Sequence, residues 1–296
     1  MEHIPNIHYQ QRTSNGVSGF EFFSLNQLFN LRQHPLDHNP FAPHRLNFYA
    51  LICIAAGQVR HQVDFEHLVL QAGDCLLITP QQIHAWDASS QPQGYLMMFT
   101  DAFLHWHVSA GTLAHLHERC DFLHTHQLGK LPEHSRQFVA RLQQLQTQAQ
   151  GYGIAAAMGA ELSLLLLALA NSAAPTFTPQ ASPRARELYR NFRQLLPAHH
   201  THSRNASYYA QQLGVSYKHL NSVCHAVAQH SAKAVVDAYM VLEAKRLLVT
   251  TTSLSKEIGF QLGFSEPTNF AKYFKRHTGQ TAAQFRSSFP EVRDRP

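Results

Sequence analysis

The C-terminal third of the chain carries one short device twice, and that repetition leaves this part few ways to fold. The first copy reads Ala206-Ser207-Tyr208-Tyr209-Ala210-Gln211-Gln212-Leu213-Gly214-Val215-Ser216-Tyr217-Lys218-His219-Leu220. The second reads Ser255-Lys256-Glu257-Ile258-Gly259-Phe260-Gln261-Leu262-Gly263-Phe264-Ser265-Glu266-Pro267-Thr268-Asn269-Phe270. Each is a short helix closed by Leu-Gly, an apolar residue and Ser, followed by a second helix. Gly supplies the positive φ that ends the first helix, and Ser is expected to cap the second. That is the layout of a helix-turn-helix. Two of them imply contact with DNA at two places, unless one binds and the other is scaffold.

The charge is divided along the chain in the way this reading requires. Residues 183–296 hold 16 Lys+Arg against 7 Asp+Glu, a net of +9, while residues 1–182 hold 8 against 12, a net of −4. A basic module beside an acidic one assigns the polyanion to the C-terminal part alone. Residues 172–183 (SAAPTFTPQASP) hold three prolines and no charge, which predicts a linker between a domain at 1–171 and another at 184–296.

Groove geometry selects the outward residues. In the first unit Leu220, Val223 and Val227 continue the core face, leaving Tyr217, Lys218, His219, Asn221 and Ser222 outside. In the second, Phe270 and Phe274 pack inward, leaving Glu266, Thr268, Asn269, Lys272, Lys275 and Arg276 outside. Asn grips adenine with two hydrogen bonds, Lys and Arg grip guanine or phosphate, and hydroxyls reach either. Pro267 falls in the first turn after the expected cap, Ser265, where it is tolerated. A helix over about residues 232–250 separates the units. At ~1.5 Å per residue it spans about 28 Å, which suits recognition helices one DNA turn (~34 Å) apart.

The N-terminal part reads as β-structure. Strands are expected at 44–56, 59–65, 67–70, 75–79 and 95–99, punctuated by Gly57, Gly73-Asp74 and Pro80, as in a sandwich or barrel. Past residue 101 the pattern turns helical. Residues 133–149 space Phe138, Leu142 and Leu145 along one face, and residues 154–171 are strongly apolar. Together they predict a helical hairpin at about 132–171, packed on the β-domain and presenting a seam to a second subunit. The longest apolar run, Leu162–Ala170, is far short of the ~20 residues a membrane span needs. The N-terminus shows no cationic start leading into an apolar stretch. Cys53, Cys75, Cys120 and Cys224 form no CxxC pair and read as free thiols, so a cytoplasmic location is expected.

Residues 183–287 closely resemble the DNA-binding domain of the AraC/XylS family of bacterial transcription regulators. The resemblance rests on Leu242-Glu243-Ala244-Lys245-Arg246-Leu247-Leu248, Glu257-Ile258, Leu262-Gly263-Phe264-Ser265, Asn269-Phe270, Phe274-Lys275-Arg276, His277-Thr278-Gly279 and Phe285-Arg286. Five positions depart from the family pattern. Leu254 stands where Ser usually caps the second unit, so Ser253 or Ser255 should cap instead. Gly259 replaces Ala, at up to ~1 kcal/mol of helix propensity. Gln229 stands for Gly, Tyr239 for Arg and Ala282 for Pro. The first unit is poor in charge and should bind DNA more weakly.

Residues 40–101 resemble the cupin-like effector domain found ahead of such DNA-binding domains, through Pro43-His44-Arg45, Phe48-Tyr49, Gly57, Val63-Asp64-Phe65, Gly73-Asp74, Ile78-Thr79-Pro80, His84-Ala85-Trp86 and Gly94-Tyr95. The resemblance implies an α+β chain: a cupin-like β-barrel with a helical hairpin, then an all-α domain. It also implies a small-molecule effector, double-stranded promoter DNA, a homodimer and, for an activator, RNA polymerase as partners. Effector contacts are expected from His44, Arg45, Phe48, His84 and Trp86. Leu46 replaces the second histidine of the metal-binding pair in enzymatic cupins, and no nucleophile motif or phosphate loop appears. No metal, cofactor or catalytic role is therefore expected. The alternative is a cupin metal-binding protein or enzyme fused to a DNA-binding module.

Overall fold

The computed structural model describes residues 4–11, 17–30, 39–87, 89, 92–119, 127–131, 133, 136–147, 151–172 and 181–289. The expected linker therefore falls largely outside the described residues, as does Cys120. The chain divides into two compact units, one of Pro5–Ala174 and one of Pro175–Pro296 with Met1–Ile4.

The first unit contains strands β1 (Asn6–Ile7), β2 (Phe20–Ser24), β3 (His44–Leu46), β4 (Tyr49–Ala56), β5 (Gln58–Val63), β6 (Glu66–Gln71), β7 (Asp74–Ile78), β8 (Ile83–Trp86), β9 (Gln93–Phe99) and β10 (Gln127–Lys130). They form two five-stranded sheets, ordered β1-β3-β8-β5-β6 and β10-β7-β4-β9-β2. The barrel expected from the sequence is not closed. The segment 44–56, expected as one strand, forms two. It bends at Asn47 and Phe48 and passes from one sheet to the other. Asn47 holds the bend: its N–H donates to the Ile7 carbonyl at 3.1 Å, and its Oδ1 accepts from the Tyr9 N–H at 3.0 Å.

Between the sheets lies one core. Leu46, Val59, Val63, Leu70 and Trp86 reach it from the first sheet, and Ala50, Ile52, Ile54, Leu76, Ile78 and Leu96 from the second. The intervening residues of β4, Tyr49, Leu51 and Cys53, face a second core shared with helices. Burial on both faces explains why β4 reads as a continuous apolar run without polar alternation. Cys53 and Cys75 face each other across β4 and β7 with sulfurs 2.8 Å apart. The Cys75 thiol is held well above its ordinary value by its hydrogen bond to the Cys53 sulfur and by burial.

Helices α1 (Leu25–Asn30), α2 (Asp101–His107), α3 (Ala110–Arg119), α4 (Arg136–Thr147) and α5 (Ile154–Ser172) complete this unit. α4 and α5 form the expected hairpin, with Arg141 on α4 paired to Glu161 on α5 at 3.1 Å. Gln146 ties α4 to β2 by accepting from the Phe22 N–H at 2.6 Å and donating to its carbonyl at 2.8 Å. At 19 residues α5 is, by length and composition, long enough to cross a bilayer, because Ala and Gly extend the leucine run read from the sequence. Its Met158, Leu162, Leu165, Leu166 and Leu169 are instead buried in the helix-covered core.

The second unit, among the described residues, is helical: α6 (Pro183–His199), α7 (Ala206–Gln212), α8 (Tyr217–Ala228), α9 (Ala232–Thr250), α10 (Ser255–Gln261), α11 (Pro267–Thr278) and α12 (Ala282–Ser288). Ser182 caps α6, whose first residue is Pro183, with Oγ accepting from the Ala185 N–H at 3.2 Å. Long α9 packs against α7, α8, α10, α11 and α12 and so serves as the common spine.

Candidate DNA interface and effector site

The repeat in sequence is a repeat in hydrogen bonding. At the first turn Gly214 has φ 67° and the Val215 N–H donates to the Ala210 carbonyl at 3.0 Å. At the second, Gly263 has φ 77° and the Phe264 N–H donates to the Gly259 carbonyl at 2.9 Å. Both bonds span five residues and close the helix end as a Schellman motif. Gly259 also keeps the crossing tight, since a Cβ there would lie 3.0 Å from Phe270 Cβ.

After the glycines the two units differ. Ser216 caps α8, accepting from the His219 N–H at 3.1 Å. Ser265 does not cap α11. That place falls to Glu266, in extended backbone at φ −130°, with Pro267 as the first helical residue. Proline pushes its predecessor into the extended region, so the helix begins one residue later relative to the glycine. The recognition helices therefore correspond with an offset of 50 where the glycines correspond with 49. Leu220 matches Phe270, Cys224 matches Phe274, and Gln229 matches Gly279. The cap of α10 also departs from expectation. Leu254 occupies the position, neither Ser253 nor Ser255 replaces its missing oxygen, and Glu257 folds back to accept the Leu254 N–H at 2.8 Å.

This offset sorts the outward residues. On α11, Glu266, Thr268, Asn269, Lys272, Lys275 and Arg276 are all exposed. On α8, Tyr217 (44% exposed), Lys218, His219 and Ser222 are exposed. Asn221 is turned elsewhere: it is half-buried, and its Oδ1 accepts from the Ala232 N–H at 3.0 Å, capping the start of α9. The α8 counterparts of Lys272, Lys275 and Arg276 are Ser222, His225 and Ala226, so fixed positive charge concentrates on the second helix.

Rigid contacts hold α11 to the spine. Asp237 on α9, largely buried, forms an ion pair with Lys233 and accepts from the Tyr273 hydroxyl at 2.7 Å. Arg286 on α12 donates to the carbonyls of Leu248, in the last turn of α9, and of Ser253, in the α9–α10 connection, both at 2.7 Å. One position is strained. Gln229 ends α8 in left-handed backbone at φ 58°, where the second unit has Gly279 at φ 77°. A side chain there costs about 1 kcal/mol, so Gln229→Gly should raise the thermal midpoint of unfolding, and an unchanged or lower midpoint would contradict this reading.

In the first unit the sheet pairing brings three histidines together. His44 pairs with His84 across β3 and β8, and His61 pairs with Trp86 across β5 and β8. The His44 and His84 rings are 4.1 Å apart, His84 Nδ1 lies 3.3 Å from His61 Nε2, and the edge of Trp86 meets His61 at 4.5 Å. All four side chains are buried, His61 at 1% exposure, and they adjoin the inter-sheet core that includes Phe48. His61 was not legible as a site residue, although its place between Val59 and Val63 on the inward face of an alternating strand was the available signal. Arg45 does not join them. Strand alternation sends it to the other face, where Nη1 donates to Gln81 Oε1 at 3.1 Å.

Burial, and then the neighbouring His44, push the His61 imidazole down to about 3. It is therefore neutral near pH 7. Among the described residues, His61 Nδ1 has no hydrogen-bonding partner. No group of three His, Cys, Asp or Glu converges as a metal site among the described residues. The unfolded chain binds a proton at His61 below about pH 6.5 and the folded chain does not until about pH 3, so stability falls as pH drops through this window. Each unit costs about 1.4 kcal/mol. His61→Leu should flatten the decline in melting temperature between pH 6.5 and 5, and an unaltered decline would show that His61 does not carry it.

Two family models match the chain. The AraC-like ligand-binding domain covers residues 31–168, and a helix-turn-helix domain covers residues 209–288. No curated relative matches. Among solved structures the chain is similar to ToxT from Vibrio cholerae, at 12% identity over 91% of this chain and 98% of that one, with a TM-score of 0.43. A ToxT structure with bound unsaturated fatty acid matches at 12% identity over 91% and 95%, TM-score 0.41. An AraC-type DNA-binding regulator from Chromobacterium violaceum matches 37% of this chain and all of its own at 19% identity, TM-score 0.33. With a ligand-binding domain ahead of paired helix-turn-helix units on one spine, the chain belongs to the AraC/XylS family and is an effector-responsive, DNA-binding transcription regulator.

Proposed function

We propose that the protein activates transcription as a homodimer, reading promoter DNA with α8 and α11 in successive major grooves and recruiting RNA polymerase. The supporting observation is the pair of exposed recognition faces fixed to a single spine of 19 residues. Thr268 and Asn269, at the start of α11, would read base edges, while Lys272, Lys275 and Arg276 would meet phosphates or flanking bases. Tyr217, Lys218, His219 and Ser222 would make the weaker contacts of the first unit, with Asn221 supporting α9 from behind. Dimerisation would use the outer face of α5, where Ala156, Ala160 and Leu164 follow one another at helical spacing and are exposed.

The effector site we infer is the histidine cluster beside Phe48 and Trp86. Three buried imidazoles, with His61 neutral and carrying an unpartnered ring nitrogen, suit the hydroxyl or carboxyl head of a largely apolar molecule. An effector acts only by binding the active and inactive arrangements unequally. Run-off transcription with purified RNA polymerase, on a genomic fragment selected by the protein itself, tests the activator reading. Transcript should rise when the protein is added, and a fall would make it a repressor.

A further inference from the structure

Between the two helix-turn-helix units lies a polar cavity of about 420 Å³. His200, Thr201, His202, Ser203, Arg204 and Asn205, all from the α6–α7 loop, line it together with Lys233 from the first turn of α9 and Gly263 from the α10–α11 turn. Arg204 and Lys233 are cationic, His200 and His202 bring imidazole nitrogens, and none of the lining side chains is a carboxylate.

The cavity walls are tied in place. Arg204 donates from Nη1 to the Gly263 carbonyl at 3.0 Å and lies 3.7 Å over the Phe264 ring. His200 Nδ1 lies 3.0 Å from the Pro197 carbonyl, and its ring packs edge-on to Tyr239. Lys233 is oriented by its pair with Asp237 and remains about half exposed. Asp237 offsets the charge of Lys233, so the positive charge left beside the surface opening is chiefly that of Arg204, which no acidic side chain of the lining meets.

Position along the chain indicates what the charge meets. Lys233 follows the end of α8 by one short turn, and Gly263 precedes the start of α11 by four residues. The cavity therefore sits where one recognition helix ends and the next begins. A duplex that offers successive major grooves to the two helices must carry a sugar–phosphate strand across that interval. We propose that the cavity is a phosphate clamp: Arg204, Lys233 and His202 hold a backbone phosphate of DNA between the two grooves. This rests on the reading that both helices engage one duplex. It adds a contact that fixes register and affinity without reading sequence.

The test uses the full chain and a scrambled duplex of about 30 base pairs, long enough for two turns of groove. Lys233→Gln should weaken binding about tenfold at fixed salt. It should also lower the slope of log affinity against log salt by about 0.9, the loss of one neutralised phosphate. Removing Lys233 takes the ion-pair partner from largely buried Asp237, leaving it the Tyr273 hydroxyl, and endangers folding, so His202→Glu is the second variant. His202 is exposed, and a carboxylate there should repel the same phosphate with the melting temperature unchanged. Wild-type slope and affinity in both variants would overturn the clamp while leaving DNA binding intact. A wild-type protein that binds no duplex would overturn the clamp and the underlying reading together. Inorganic phosphate separates a third outcome: stabilisation that Lys233→Gln abolishes, with the DNA slope unmoved, would assign the cavity to a soluble anion and overturn the proposal.

Discussion

Gly263→Ala should unfold or badly loosen the DNA-binding unit, at a cost of about 3–5 kcal/mol, while Gly214→Ala should cost only about 1–2 kcal/mol. Both glycines sit at the same place in the repeat with nearly the same backbone, φ 77° and 67°. A Cβ at either position meets the penalty of left-handed backbone. The difference lies in what surrounds them. A Cβ on Gly263 would lie 2.0 Å from the Thr201 carbonyl oxygen, whereas nothing lies within 4 Å of one on Gly214. That contact is with backbone, so no rotamer change relieves it, and the α6–α7 loop would have to move. The same loop carries Arg204, which stacks on Phe264 and bonds the Gly263 carbonyl. Thermal melts of the two variants, recorded side by side, measure the asymmetry, and equal losses would show that the loop gives way freely.

The second large effect concerns recognition. Asn269→Ala combined with Lys272→Ala should weaken binding to a selected promoter fragment by 10²–10³-fold or about 3–4 kcal/mol, because a bidentate base contact and a charged contact are each worth about 1–3 kcal/mol. Both side chains are exposed on α11 and support no core contact, so the melting temperature should not move. The single variants should separate by specificity. Asn269→Ala should lower affinity for the selected site and leave scrambled DNA almost unaffected, and Lys272→Ala should weaken both and flatten the salt dependence. The corresponding change on α8, Ser222→Ala, should have a much smaller effect. Comparable losses from Ser222→Ala and Lys272→Ala would contradict the unequal division of labour.

The repeated Leu-Gly-apolar-Ser signature carried most of the second unit, because Gly at positive φ and apolar residues at helical spacing are local constraints. The one-residue offset between α8 and α11 was legible only through Pro267, whose effect on Glu266 competes with Ser265 for the cap. Asn221 looked like a DNA contact by spacing, yet its side chain serves the N–H of Ala232, a residue eleven places away. In the β-unit, strand-forming runs gave β4 to β7 and β9, but not the short strands β1, β2, β8 and β10, nor the change of sheet at Asn47, which depends on bonds to Ile7 and Tyr9 from a distant segment. The same limit hid His61: its neighbours His44 and His84 meet it only once β3, β8 and β5 lie side by side.

The most direct test of paired engagement is a hydroxyl-radical footprint of the full chain on a promoter fragment it selects. Two protected stretches on one face of the duplex, centred about 10–10.5 base pairs apart, are expected, with the stretch under α11 more resistant to added salt. A single protected stretch, unaltered by changes on α8, would contradict the account.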